Sequence, residues 1–290
     1  MLALSKKYRY NNKIENFLPR WQMVLIFPLI GIFLSVIDVF INKPFSAKVF
    51  PAVILYAVGY TLLAAFCFIA FLVVLSLFVD LKKPNKKFNK FYNAVVSFTL
   101  KVALSACNAK VNVEGTEKIP EGRFVLIQNH KAMFDPITSI AFLGKYEIGF
   151  ITKPENFKLP IINKFMHKIC CIPIDRESAR NAVKSINAAA ENVKNNICSM
   201  AIYPEGTRNK AEGMLPFHAG SFKIATKSGA PIVVSTVEGT ELVRKNAPFK
   251  RTVINLKICE VFSSEEVLSS TTAELAEKAR KIMCDSLGIS

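Results

Sequence analysis

The chain has 290 residues, 51% of them apolar, a formal net charge of +16 and a mean hydropathy of +0.29. Its seven cysteines are odd in number and contain no C-x-x-C pair, which argues against a disulfide framework or a zinc site and fits the reduced thiols of a cytoplasmic catalytic part. The positive balance calls for a polyanionic partner; with no nucleic-acid motif and an apolar excess in the first third, that partner is expected to be an anionic bilayer surface or a phosphorylated substrate, not nucleic acid.

Residues 1–20 form a basic segment with Lys6, Lys7, Arg9, Lys13 and Arg20. Residues 21–80 read as a membrane anchor of two hydrophobic helices. Met23 to Ile41 is a 19-residue run whose only charge is Asp38, and Val49 to Val79 is a 31-residue run with none. A helix needs ~20 apolar residues to cross a bilayer. The second run exceeds that, so it tilts or breaks near Pro51 or Gly59. The connector Asn42 to Lys48 carries two cations, against five before the first run and Lys82, Lys83, Lys86, Lys87 and Lys90 after the second. The positive-inside bias therefore puts both ends on the cytoplasmic side of the cell membrane. A hairpin re-entering one leaflet fits the same charges.

Residues 81–108 read as an amphipathic helix, interfacial or connecting. Lys86, Lys90, Asn93, Ser97 and Lys101 line one polar stripe, and Phe88, Phe91, Val95, Phe98 and Val102 fall largely away from it. Such a helix lies in the lipid interface or packs its apolar side on the following domain.

Residues 109–290 form that domain. Short apolar runs at Lys110–Val113, Phe124–Ile127, Ile148–Ile151, Ile172–Ile174, Met200–Tyr203, Ile232–Val237 and Val253–Val261 predict strands. Helical stretches at Ile137–Leu143, Ile161–His167, Ala179–Lys194, Ser221–Lys227 and Thr272–Leu287 separate or follow them. The alternation predicts an α/β fold with a mixed, largely parallel sheet flanked by helices.

Sites in such sheets gather at the carboxyl ends of the strands. Asn129, His130 and Asp135 follow one strand, Lys153 the next, Asp175 and Arg176 a third, and Glu205, Gly206, Thr207 and Arg208 a fourth. A neutral imidazole takes a proton from an attacking hydroxyl near pH 7, and a carboxylate on its other nitrogen fixes the tautomer. His130 and Asp135 are the candidate catalytic pair. Asp135 also precedes Pro136 and a helical run, which suits a helix N-cap. His167, inside a helical run, and His218 read as ordinary structural histidines.

Asn129-His130 and Asp135, which together make an H-x-x-x-x-D motif, and the run Tyr203-Pro204-Glu205-Gly206-Thr207-Arg208 resemble the lysophosphatidate acyltransferase family of glycerolipid acyltransferases. Lys153 and Pro160 followed by Ile172-Pro173-Ile174-Asp175-Arg176 look like its second block. Phe217, Gly220-Ser221-Phe222-Lys223 and Ala230-Pro231-Ile232-Val233-Val234 look like its downstream blocks. The resemblance covers about residues 110–240 and the hydrophobic anchor. It departs from the family at His218, where a basic residue is common, at Asn163 and Cys170, near common glycines, and at Val234-Ser235, where Val-Pro is common.

The resemblance implies that residues 109–290 are a catalytic acyltransferase domain, with His130 as general base oriented by Asp135. Lys153, Arg176 and Arg208, with Thr207, would meet the acceptor phosphate, while Glu205 and Gly206 shape that loop. It implies acyl transfer from an acyl-CoA or acyl-carrier-protein thioester to the sn-2 hydroxyl of lysophosphatidate, giving phosphatidate, with membrane lipids and an acyl-carrier protein as partners. Glycerol 3-phosphate or another lysophospholipid as acceptor, or a lipid hydrolase using the same pair, remain alternatives. There is no G-x-S-x-G elbow, consistent with direct transfer, and no P-loop or dinucleotide fingerprint, so neither cofactor nor metal is expected.

Overall fold

The computed structural model describes residues 21–42, 50–85, 87–209 and 212–289. The basic segment 1–20, the charges of the connector and Lys86 lie outside the described residues. Two apolar helices come first, α1 (Trp21–Asn42) and α2 (Phe50–Leu77), packed on each other. Gly31 permits that contact, because a Cβ there would come within 2.5 Å of the Ala57 carbonyl oxygen. Over Val53–Leu77, α2 is long and apolar enough to cross a membrane, and none of its most apolar stretch is buried. It is the one such helix among the described residues; the described apolar part of α1, Ile26–Asp38, is shorter.

Next comes α3 (Lys90–Ala106), capped by the Asn89 side chain, which accepts from the Tyr92 N–H. Three residues of its polar stripe bond to the following domain. Asn93 donates to the Gly144 carbonyl and Ser97 to the Ile140 carbonyl, each at 3.0 Å. Those oxygens close α4 (Phe134–Leu143), whose last turn leaves carbonyls without intrahelical donors. The stripe thus satisfies a neighbouring helix end, and Lys90 pairs with Glu147 at 2.9 Å. Of the residues expected on the apolar side, Phe88 is buried in the domain core, Phe91 is exposed, and Phe98 turns away to meet Phe68 of α2 edge-on at 5.8 Å. Tyr92 completes the link, donating its hydroxyl to the Leu75 carbonyl of α2 at 2.9 Å.

The domain is built on a seven-stranded sheet. Its strands are β1 (Ala109–Glu114), β2 (Val125–Gln128), β3 (Ile148–Thr152), β4 (Ile172–Pro173), β5 (Ser199–Ile202), β6 (Ile232–Glu238) and β7 (Thr252–Phe262). Their order is β1-β7-β6-β2-β5-β3-β4. Strands β6, β2, β5, β3 and β4 run parallel; β7 is antiparallel to β6, and β1 runs parallel to β7. This is the α/β, mixed and largely parallel sheet predicted. Every residue of β2 and β5 is buried, as expected of central strands covered on both faces. The flanking helices are α4, α5 (Ile162–Lys168), α6 (Ala179–Lys194), α7 (Lys223–Ser228), α8 (Thr240–Asn246), α9 (Ser264–Ser269) and α10 (Thr272–Leu287). The sequence reading missed α8 and α9, of seven and six residues.

Candidate active site

The site begins where β2 stops. Asn129 extends the strand with its side chain: its amide donates to the Val237 carbonyl at 3.0 Å and its oxygen accepts from the Val237 N–H at 2.8 Å. One step earlier, Gln128 is buried between the hydroxyls of Ser235 and Ser139, each at 2.8 Å. Ser235, one of the departures noted in the sequence, lies at a register shift between β6 and β7. These buried amides tie β2, β6 and α4 together directly beneath His130.

The His130 Nδ1 lies 2.8 Å from Asp135 Oδ2, and the Asp135 side chain is wholly buried. The same oxygen accepts the N–H groups of Lys131 at 2.7 Å and Ala132 at 2.9 Å. Oδ1 accepts from the Thr240 hydroxyl. Four polar contacts thus converge on this one buried carboxylate and fix its orientation. The N-cap expectation for Asp135 is corrected: α4 starts at Phe134, its cap position is Met133, and Asp135 sits inside the first turn. Its oxygens face the preceding turn, which a carboxylate required to hold Nδ1 can also reach. Sequence reading missed Thr240. It stands at the carboxyl end of β6, so the strand-end rule applied to that strand would have found it.

The loop after β5 clamps the histidine from the other side. Glu205 Oε1 accepts the His130 N–H at 2.7 Å, and the Asn209 N–H donates to the His130 carbonyl at 2.7 Å. Glu205 Oε2 accepts from the Leu215 N–H at 3.3 Å, and Arg280 of α10 holds the Met214 carbonyl at 2.9 Å. Burial raises the Glu205 carboxyl above its ordinary value despite those backbone donors. Gly206 has φ +72°, and a Cβ there would sit 2.8 Å from the His218 ring, so the turn needs glycine twice over. The Tyr203 ring stacks on the imidazole at 4.2 Å and 20°. Its hydroxyl is buried without a hydrogen-bond partner, and burial pushes it well above the usual phenol range.

His130 borders a cavity of about 520 Å³, within the usual size of ligand pockets. With Nδ1 engaged, Nε2 is the ring nitrogen left for a substrate. One part of the wall is apolar, with Leu72 of α2, Leu100 of α3, Ile137 and Ile140 of α4 and Phe165 of α5. The other carries Lys153, Arg176, Thr207 and Arg208, from the ends of β3, β4 and β5. Glu205 and Gly206 are absent from the lining. A buried carboxylate turned to two N–H groups offers a phosphate no donor; Glu205 instead ties its own loop to the backbone of His130 and Leu215.

A family model described as Acyltransferase matches residues 110–238. Over that span, under half of the chain, the sequence is similar to the acyltransferase family. Its relatives include a 1-acyl-sn-glycerol-3-phosphate acyltransferase of Saccharomyces cerevisiae, 31% identical over 184 residues, covering 61% of this chain and 59% of the yeast protein. A chloroplastic protein of the same description from Arabidopsis thaliana is 28% identical over 235 residues, covering 77% of this chain and 64% of the plant one. The match spans less than two thirds of the length of either. The crystal structure of the 1-acyl-sn-glycerophosphate (LPA) acyltransferase PlsC from Thermotoga maritima shares the fold, with a TM-score of 0.55 over 93% of this chain and 97% of that one, at 22% identity.

Proposed function

We propose that this glycerolipid acyltransferase moves a fatty acyl group from an acyl-CoA or acyl-carrier-protein thioester to the sn-2 hydroxyl of lysophosphatidate, forming phosphatidate. The observation that carries the reading is the His130–Asp135 pair, 2.8 Å apart, at a cavity with apolar walls on one part and Lys153, Arg176 and Arg208 on another. An acyl chain suits the first part and a phosphate monoester the second. The activity by which the relatives are named agrees with it.

In this reading Nε2 of His130 takes the acceptor's hydroxyl proton as its oxygen bonds to the thioester carbonyl carbon. The tetrahedral adduct then expels the thiolate, which recovers the proton from Nε2. Asp135 holds the Nδ1–H tautomer and stabilises the transient imidazolium. Lys153, Arg176 and Arg208, with the Thr207 hydroxyl, hold the phosphate; Glu205 and Gly206 keep their loop in shape. The apolar hairpin anchors the chain in the cell membrane with the domain on the cytoplasmic face, supported by the composition of α2 and by Lys82, Lys83, Lys87 and Lys90 beyond its end.

The test is thioester consumption by purified protein in detergent with lysophosphatidate, glycerol 3-phosphate, other lysophospholipids or no acceptor. Lysophosphatidate-dependent loss is expected, falling ~10²–10⁴-fold in His130→Ala. Arg208→Ala should weaken use of the phosphorylated acceptor by roughly 10–100-fold. Acceptor-independent release of fatty acid, or full activity in His130→Ala, overturns the reading.

A further inference from the structure

Phe249 is 95% exposed, more than any other large apolar side chain described. A single exposed aromatic means little by itself. Its surroundings and position say more. Exposed Arg244, Lys245, Lys250 and Arg251 flank it, and between Thr240 and Arg251 the sole acid is Glu241. The loop is folded: the Lys250 N–H donates to the Asn246 carbonyl at 2.8 Å.

The fold puts this loop at the end of the molecule from which the apolar hairpin emerges. Tyr92 meets Leu75, and Phe98 meets Phe68, so α2 and α3 run antiparallel. At equal rise per residue, the end of α3 at Ala106 falls beside roughly residue 60 of α2. The preceding turns of α2, about 15 Å of helix, project beyond α3, and Ile54, Leu55 and Val58 there are exposed. The same end of α3 leads to Asn108, whose carbonyl accepts from the Thr252 N–H at 3.1 Å, one residue after the basic loop. Because Asn255 of β7 lies opposite Glu238 at the end of β6, the loop also shares the sheet rim that carries His130.

We propose that residues 244–251 form a second membrane contact, in which Phe249 enters the headgroup–acyl boundary of an anionic bilayer and Arg244, Lys245, Lys250 and Arg251 meet its phosphates. Aromatic rings favour that boundary, and a cation near an anionic leaflet strengthens binding roughly fivefold at low salt. One contact at α2 leaves the domain free to swing; a second fixes the rim over the lipid. This rests on the membrane reading of α2 and not on the acyl-transfer chemistry.

Trp21 is the single tryptophan of the chain, so the full-length double variant Trp21→Phe/Phe249→Trp carries one indole and reports on the loop alone. In vesicles of phosphatidylcholine with phosphatidylglycerol, the emission of that indole is expected to shift blue, to be quenched by brominated lipid and to be shielded from iodide. Replacing all four cations by Gln should abolish most of the quenching. Emission as in water with open access to iodide overturns the proposal, as does shielding that appears only when an acidic carrier protein is added. Phe249→Ser should lower acyl transfer to acceptor embedded in vesicles several-fold yet leave transfer in detergent micelles unchanged. Equal rates in vesicles also overturn it, whereas a parent protein inactive in both assays, with the indole of the double variant still quenched in vesicles, overturns only the acyl-transfer reading.

Discussion

The Tyr203 ring is the least expected part of the site. Nothing in the run Tyr203-Pro204-Glu205-Gly206-Thr207-Arg208 announces that its first residue lies face to face with the imidazole. The H-x-x-x-x-D pair could be read from spacing, because one turn of chain brings both side chains together. Thr240, Tyr203 and the Glu205–His130 bond arrive from over seventy residues away, through the order of strands in the sheet, which local pattern does not carry. A stacked ring restrains the plane of the base, and misplacement of about 1 Å at a reacting group can cost ~10²-fold in rate. Tyr203→Phe keeps the ring and removes a buried hydroxyl that has no partner, a change near neutral for stability. Tyr203→Phe is therefore expected to retain kcat, and Tyr203→Ala to lose it by roughly 10²-fold with a smaller change in KM. Steady-state rates against acceptor concentration check both; loss in the Phe variant would instead assign the hydroxyl to substrate binding.

Among elements, α3 departs furthest from its pattern. A polar stripe at helical spacing predicts solvent or headgroups on that side, since an amphipathic helix is read without knowing its neighbours. Here α4 ends beside it with bare carbonyls, and the stripe becomes its cap. The strands were legible for the opposite reason: central positions buried on both faces leave uninterrupted apolar runs whatever the neighbour. The junction of α3 with the sheet is also where pH should act. Burial alone would push the Glu147 carboxyl up, but hydrogen bonds from Lys90 and from Arg123 at 2.6 Å outweigh it and hold the value below the ordinary one. A carboxyl lowered on folding stabilises the fold above its unfolded value, roughly pH 4.3, and loses that contribution as pH falls through the folded value. Glu147→Gln is thus expected to lower the apparent Tm at pH 7, with a cost of about 1–3 kcal/mol for losing charge-assisted bonds. The gap from the parent protein should close as the pH is taken below about 4. A melting series from pH 7 to pH 3 reads it directly, and a gap that stays constant would deny Glu147 its ionised role.

At the scale of the whole molecule, the apolar hairpin and the domain share one cavity. Leu72 comes from α2, Val96 and Leu100 from α3, Ile140 from α4 and Phe165 from α5, so the apolar lining is completed by the helix of membrane-spanning composition. Sequence reading expected both an apolar hairpin and a set of cations at the strand ends; that both line one pocket follows from α3, which bonds to α4 and packs on α2. An acyl chain entering from the bilayer would then reach His130 without crossing water. Leu100, on α3, belongs to the apolar lining of this cavity. Leu100→Trp adds bulk to the apolar part and leaves His130, Asp135 and the cations untouched. Hydrophobic pockets discriminate by about 10–200-fold for one excess methylene where the fit is tight. The variant is expected to lose activity with long-chain thioesters while keeping it with short-chain ones, at an unchanged KM for the phosphorylated acceptor. Competing donors of graded chain length in one reaction give the ratio of kcat/KM values. A uniform fall across chain lengths would mean that the acyl group lies elsewhere and that this cavity serves the acceptor alone.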